Sequence, residues 1–393
     1  MENKRIAIVT PYGAEPRLDN YGEFILAQTL QERGWDVRMY TYGMNMPRLY
    51  AHDTAYGGAR VFRCRVRWGI SPKLFFSLLF FRPRSVLCFH PKSMLNFSAY
   101  WSARFSGARF VATIVGIFHD GFIVDDVDDP YGHIKTNPIL VTNFRTFITH
   151  LSNPWRWLWE NYIFHMPTAH ADTIVAINED ERRHVLTFYR RASECIYYCT
   201  PRFNTGEAKQ PTTSVPERFL FFIGQVKRRK GWDTAIEALA ILKKKGRDSH
   251  LMFVAPKDQI EEAVEYAKEK RVLDCVTFLT SISNEEKRWL YAHSECVLVP
   301  SRYESFGIPV FEAFLAKVPL CASNIPVFKE FLVDRGNAML FRTGDPEGLA
   351  NAVLTLDGDP KLCERLIAEG EKTAEKFDYR RMTDAYEKII RNS

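Results

Sequence analysis

Not one aspartate or glutamate occurs between Asp53 and Asp120. A run of about 20 apolar residues, the minimum for a membrane-spanning helix, is also missing. The longest apolar stretch, about eight residues around Phe75–Phe81, is broken by Ser77. The eight cysteines include no CxxC pair, which argues for reduced, mostly buried thiols in a cytoplasmic protein. Cys195 and Cys199 stand four apart with no second ligand pair, so no metal site is assigned to them. Neither a GxGxxG fingerprint nor a P-loop occurs, which weakens a dehydrogenase or kinase reading. The first residues, MENKRIAIVTPYG, run straight into a strand-like segment, so no secretory leader is expected.

What remains is globular in composition: 393 residues, 46% hydrophobic, 14% aromatic and 25% charged. At roughly 100–200 residues per domain, two domains are expected. Of the 53 lysines and arginines, ten fall in the acid-free window: Arg60, Arg63, Arg65, Arg67, Lys73, Arg82, Arg84, Lys92, Arg104 and Arg109. Elsewhere 43 basic residues face 47 acidic ones, so the net charge of +6 comes from one segment. Such a field attracts polyanions: nucleic acid, anionic lipid or phosphorylated substrates.

Short apolar runs alternate with amphipathic stretches along the chain. Ile6–Thr10, Val37–Tyr42, Val86–Phe89, Phe110–Val115 and Thr173–Ile177 read as strands; Phe24–Arg33, Ser93–Phe105 and Glu179–Tyr189 read as helices. Strand, helix, strand at this spacing implies right-handed crossovers and parallel sheets. The polar, proline-containing stretch Thr205–Pro216 reads as a linker, and the alternation then resumes at Phe219–Ile223. The expected fold class is α/β, with two Rossmann-like doubly wound domains and a ligand cleft between them. Boundaries follow as 1–204 for the first domain, 205–217 for the linker and 218–376 for the second domain. A helix at 377–393 is expected to pack back on the first domain.

Residues 301–319, SRYESFGIPVFEAFLAKVP, follow a strand and lead into a helix with Pro309 in its first turn. Phe306 and Gly307 stand where unpaired backbone N–H groups point at a ligand. Glu304 lies in the loop and Glu312 about one turn inside the helix, where a carboxylate can accept two bonds from a vicinal diol. The plain alternative is a favourable N-terminal charge and a solvated helix residue.

Glu-x7-Glu in SRYESFGIPVFEA, followed by KVPLCASNIP, resembles the signature of glycosyltransferase family 4, retaining enzymes of the GT-B fold. The likeness extends to FIGQVKRRKGWD (222–233), similar to that family's phosphate-binding loop, to residues 276–300, and to GDPEGLA (344–350). By this resemblance Glu312 would hold the ribose of a nucleotide sugar. Glu304, Ser305, Phe306 and Gly307 would hold the donor sugar. Gly224, Arg229 and Lys230 would hold the diphosphate, whose developing charge on departure needs cations. The family often has Arg directly after that glycine; here Gln225 stands there, and Arg229 is taken as the substitute. In the first domain Leu26, Ala27, Leu30 and Gly34 are similar to a family helix, but the glycine pair before it is not evident around Arg17–Asn20. The family's acceptor-side histidine corresponds by strict spacing to Val115, so His119, four residues on, is the catalytic candidate.

Asp125–Asp129 contains an Asp-x-Asp triplet of the kind that chelates metal in other glycosyltransferase folds. A solvated loop is the reading favoured here, with no metal and no cofactor. Residues 65–85 and 153–164 join basic side chains to tryptophan, tyrosine and phenylalanine, a mix suited to an anionic membrane surface. Leu74–Phe81 as a buried core helix is the alternative. No nucleic-acid motif accompanies the basic segment. The resemblance thus implies a retaining transferase using a UDP- or GDP-sugar on a glycan or lipid-linked acceptor, cytoplasmic or peripheral at the inner membrane face. A soluble acceptor, a sugar-nucleotide epimerase and a non-catalytic nucleotide-sugar-binding protein stay open.

Overall fold

The computed structural model describes residues 3–11, 21–42, 54–56, 58–67, 70–90, 93–116, 163, 165–201 and 208–392. These form two compact units. One holds the described residues up to 201 together with 378–392; the other holds 208–377.

The first unit runs β1 (Arg5–Val9), α1 (Gly22–Glu32), β2 (Asp36–Tyr42), β3 (Thr54–Tyr56), β4 (Ala59–Cys64), α2 (Pro72–Phe81), β5 (Ser85–Phe89), α3 (Leu95–Ser106), β6 (Arg109–Ile114), β7 (Thr173–Ala176), α4 (Glu179–Tyr189) and β8 (Glu194–Cys195). Its sheet has the order β3-β4-β2-β1-β5-β6-β7-β8, parallel except for the β3–β4 edge pair. β1 lies between β2 and β5, so the strand order reverses beside it. Parallel strands covered on both faces read as unbroken apolar runs, and β1 and β5 are buried nearly throughout.

The second unit runs β9 (Leu220–Ile223), α5 (Trp232–Lys244), β10 (Leu251–Val254), α6 (Ile260–Glu269), β11 (Val276–Leu279), α7 (Asn284–His293), β12 (Cys296–Val299), α8 (Ile308–Leu315), β13 (Leu320–Ser323), β14 (Met339–Phe341), α9 (Pro346–Gly358) and α10 (Pro360–Lys376). Its all-parallel sheet has the order β11-β10-β9-β12-β13-β14. Here the reversal falls between β9 and β12, which pair through Leu220 with Cys296 and Phe221 with Val297. Residues 208–217 form neither helix nor strand and belong to this unit.

A last helix, α11 (Tyr379–Arg391), belongs to the first unit. Met382, Tyr386, Ile389 and Ile390 join the core that contains Phe24, Ile25, Val111 and Val175, and the Tyr386 and Thr113 hydroxyls are 3.0 Å apart. The end of α11 is capped from the acid-free segment. Arg84 donates to the Ile390 carbonyl at 2.9 Å and to the Arg391 carbonyl at 2.7 Å, and Arg109 donates to the Asn392 carbonyl at 3.0 Å. Cations at a helix C-terminus satisfy its orphan carbonyls and complement its dipole. Arg63 is buried. Arg104 pairs with Asp172 at 3.0 Å. The acid-free segment is therefore not one uniform solvated face: several of its arginines hold the unit together.

Leu74–Phe81 does form a helix, but only Leu74, Leu78 and Phe81 of α2 are buried, so its aromatics are not all core. All eight cysteines are unbridged, five of them buried. No helix among the described residues is long and apolar enough to cross a membrane.

Candidate functional site

In open parallel sheets, ligands bind beyond the carboxyl ends of the strands where the order reverses. In the second unit that point is served by the loop after β9 (224–231) and the loop after β12 (300–307). Both sequence-predicted groups of donor-binding residues lie on these two loops. They meet.

The meeting depends on glycine. Gly231 has φ +65°, and a Cβ there would lie 1.9 Å from the Pro300 carbonyl oxygen. No other residue allows that approach of the two backbones. The Arg229 carbonyl then accepts from Arg302 N at 2.7 Å and from Tyr303 N at 3.2 Å. Arg228–Lys230 make one turn of 3-10 helix immediately before Gly231. As a result Lys230 Nζ donates to Glu304 Oε1 at 2.5 Å, and Ser301 Oγ donates to the same oxygen at 2.9 Å. Glu304 is buried. Burial opposes its ionisation, but the Lys230 and Arg229 charges, with the bonds from Lys230 and Ser301, overcome this and hold its pKa below the ordinary value. Lys230, Glu304, Ser301 and Pro309 line a small recess together with Phe222, Ile223, Leu298 and Val299.

Arg229 donates to Gln225 Oε1 at 2.8 Å, so the residue in place of the family's arginine engages the substitute arginine. Gly224 stands at the end of β9, its N–H bonded to the Val254 carbonyl. Gly307 precedes α8 with φ +91°, and a Cβ there would come within 2.5 Å of the Phe328 ring. Phe306 is buried and stacks on Phe311 at 4.4 Å, fixing the backbone that leads into the helix. Ser305, between Glu304 and Phe306, is half-buried.

Glu312 is not the solvated helix residue of the plain alternative. It is buried, with Lys287 Nζ on Oε1 at 2.6 Å and the Tyr291 hydroxyl on Oε2 at 2.7 Å. Burial and the neighbouring Glu312 carboxylate push the Tyr291 phenol well above its ordinary pKa, so it remains a donor. Lys287 and Tyr291 come from α7, whose start is fixed by a Ser283–Glu286 capping box.

Two residues invisible to the motif reading organise the site. Arg302 grips Asp233 through two bonds of 2.7 and 2.8 Å and donates to the Arg228 carbonyl at 2.9 Å, all within a buried environment. The only sequence signal was opposite charge in two segments both assigned to one nucleotide sugar. In the first unit, at its own reversal point, the buried Glu23 carboxylate accepts from Thr10 Oγ1 at 3.1 Å and from the Tyr198 hydroxyl, with His90 Nε2 at 3.5 Å. Burial acts to raise the Glu23 pKa; His90 and Tyr198 outweigh it and leave it lowered. His119 and Asp125–Asp129 lie outside the described residues.

Residues 205–373 match the model of the family described as glycosyl transferases group 1. The match falls on the second unit, and the loops of the Lys230–Glu304 pair lie inside it. Glycogen synthase from Mycobacterium tuberculosis is 28% identical over 179 residues, covering 45% of this chain and 43% of that enzyme. The chain thus spans about half, or less, of the length of the first curated relatives it matches. Solved structures extend the likeness over nearly all of the chain. Sucrose-phosphate synthase from Thermosynechococcus elongatus superposes with a TM-score of 0.70 at 18% identity, covering 99% of this chain and 98% of that one. HepE from Anabaena, in complex with UDP and glucose, gives 0.69 at 14% identity over 99% and 100%. The fold is GT-B, two parallel-sheet α/β units.

Proposed function

We propose that the chain is a retaining glycosyltransferase of the family 4 type. It transfers a sugar from a nucleotide-sugar donor to a glycan or lipid-linked acceptor at the cytoplasmic face of a membrane. The observation that carries this reading is the Lys230–Glu304 pair at the strand-order reversal of the second unit, within the segment matched by the group 1 model.

A lysine ammonium has three donors. Lys230 can therefore keep Glu304 and still reach a diphosphate oxygen, with Arg229 beside it. Glu304 receives both of its bonds on Oε1 and offers Oε2 to a sugar hydroxyl. Glu312, oriented by Lys287 and Tyr291, is the carboxylate that would accept from a ribose diol. In the transfer, the bond from the anomeric carbon to the diphosphate breaks while the acceptor oxygen bonds to the same face. The acceptor's proton passes to the departing diphosphate, whose growing charge Lys230 and Arg229 stabilise. The UDP held by HepE supports a uridine donor, with a GDP-sugar as the competing choice.

Thermal-shift screening against UDP-, GDP- and ADP-sugars, followed by turnover with and without acceptor, tests the reading. Stabilisation by one class and acceptor-dependent release of its nucleotide are expected. Conversion of donor without acceptor would replace the transferase by an epimerase, and binding without turnover by a non-catalytic protein.

A further inference from the structure

Helix α3 carries large aromatics on its outer face. Its inward side mixes Leu95, Ala99, Tyr100 and Ala103 with the polar Asn96, Ser98 and Ser102, all buried. Each of the polar three is hydrogen-bonded: Asn96 to the His90 carbonyl at 2.8 Å, Ser98 from Ser71 N at 2.8 Å, and Ser102 to the Phe75 carbonyl at 2.7 Å. Phe97, Trp101 and Phe105 recur at i, i+4 and i+8, with ring centroids 6.4 and 6.2 Å apart. Trp101 is 39% and Phe105 68% exposed. Adjacent α2 adds Phe76 at 54% and Phe80 at 79%, and Phe75 bridges to Phe105 at 5.9 Å. Ile70, just before α2, is exposed as well. Among the described residues, five of the eight exposed large apolar side chains thus sit on or beside two packed helices. A contiguous patch of this kind marks an interaction site.

The charge around it selects the partner. Lys73 shares the outer stripe of α2 with Phe76 and Phe80, Arg82 ends that helix, and Arg65 and Arg67 precede it, all four exposed. No acidic residue lies anywhere in the segment. Aromatic rings edged by cations suit the headgroup region of an anionic bilayer, where apolar insertion adds to electrostatic attraction. We infer that the outer faces of α2 and α3 dock the first unit on an anionic lipid surface. Phe76, Phe80, Trp101 and Phe105 insert, while Arg82, Arg65 and Arg67 meet the headgroups. This rests on the membrane-face reading above and adds the surface that serves it. It also separates the docking cations from Lys73, which donates to the Arg63 carbonyl at 3.1 Å, and from Arg63, Arg84 and Arg109, which the fold uses itself.

Co-sedimentation of the full chain with mixed phosphatidylglycerol–phosphatidylcholine vesicles tests the inference. Wild type should bind these and not pure phosphatidylcholine, and added salt should release only part of it. The pairs F76S/F80S and W101S/F105S should each lower binding about tenfold, because insertion scales with buried apolar area. Bilayer-embedded brominated lipid should quench wild-type fluorescence more than that of W101F. Wild type that ignores anionic vesicles, or serine pairs that bind unchanged, would overturn the proposal. So would a concentration-dependent dimer abolished by F76S/F80S, which would assign the face to a second copy. Calorimetry with UDP and GDP keeps the two readings apart. Intact nucleotide binding with failed docking removes only the membrane surface, whereas wild type that binds neither nucleotide removes the transferase reading.

Discussion

Arg302 and Asp233 face each other with two guanidinium nitrogens on two carboxylate oxygens, at 2.7 and 2.8 Å, and both side chains are buried. The pair ties the loop after β12 to the start of α5. It thereby sets the distance between the two loops that carry Lys230 and Glu304.

Removing one partner of a buried pair leaves the other charge uncompensated, at a cost of about 3–5 kcal/mol. Asp233→Ala and Arg302→Met should each lower the denaturant midpoint of the second unit accordingly. The double variant should recover part of the loss. A single variant as stable as wild type would show that the pair does not hold the loops.

Lys230→Ala should act on kcat more than on donor affinity, because its interaction strengthens as charge develops on the leaving diphosphate. Loss of one such donor typically costs about 10²–10³ in rate. Steady-state kinetics that retain turnover within about threefold would remove Lys230 from the chemistry.

For Glu312→Ala, donor affinity should fall by about 1–3 kcal/mol, the usual cost of hydrogen bonds to a charged group. Lys287→Met should lose part of that affinity while leaving kcat nearly unchanged, since Lys287 acts through the Glu312 carboxylate. Isothermal calorimetry with the donor nucleotide and its 2′-deoxy analogue checks both variants. If Lys287→Met matches wild type with each ligand, the lysine does not orient the ribose contact.

Glu304 makes the stability depend on acidity. Its pKa is lower folded than unfolded, so the unfolded chain binds the proton more readily and stability rises with pH. The contribution is complete above the ordinary glutamate value of about 4.3 and is lost as pH falls through the lowered folded value. Thermal melts of wild type and Glu304→Gln across that acidic window should converge as pH falls. Parallel curves would mean that Glu304 titrates alike in both states.

The second unit was legible because its strands are short, unbroken apolar runs such as LFFI, LMFV and CVLV, buried on both faces. The Glu304 loop was marked by a strand end and an early helical proline, while the roles of Glu304 and Lys230 were legible only through the resemblance to glycosyltransferase family 4. Less visible was β4, ARVFRC, where Arg60 and Arg63 interrupt the apolar run of a strand near the sheet edge. The partners of Glu312 were out of reach. Lys287 and Tyr291 lie 25 and 21 residues away, and only the packing of α7 against α8 brings them in. Arg302 and Asp233 are 69 residues apart, and no periodicity links them. In α3 apolar residues stand on both sides, Leu95, Ala99 and Ala103 inside and Trp101 and Phe105 outside, so pattern alone does not separate its faces.

Arg84 and the Ile390 carbonyl it caps are separated by 306 residues of sequence. A ribosome therefore delivers the whole second unit before the helix that completes the first. Until residues 378–392 emerge, Phe24, Ile25 and their neighbours lack Met382, Tyr386, Ile389 and Ile390 as cover. The described residues of the second unit run unbroken from 208 to 377 and can close early, while the nascent first unit waits with an apolar flank open. A premature stop near residue 377 would leave it in that condition permanently, a substrate for chaperones and proteases even with the Lys230–Glu304 loops intact.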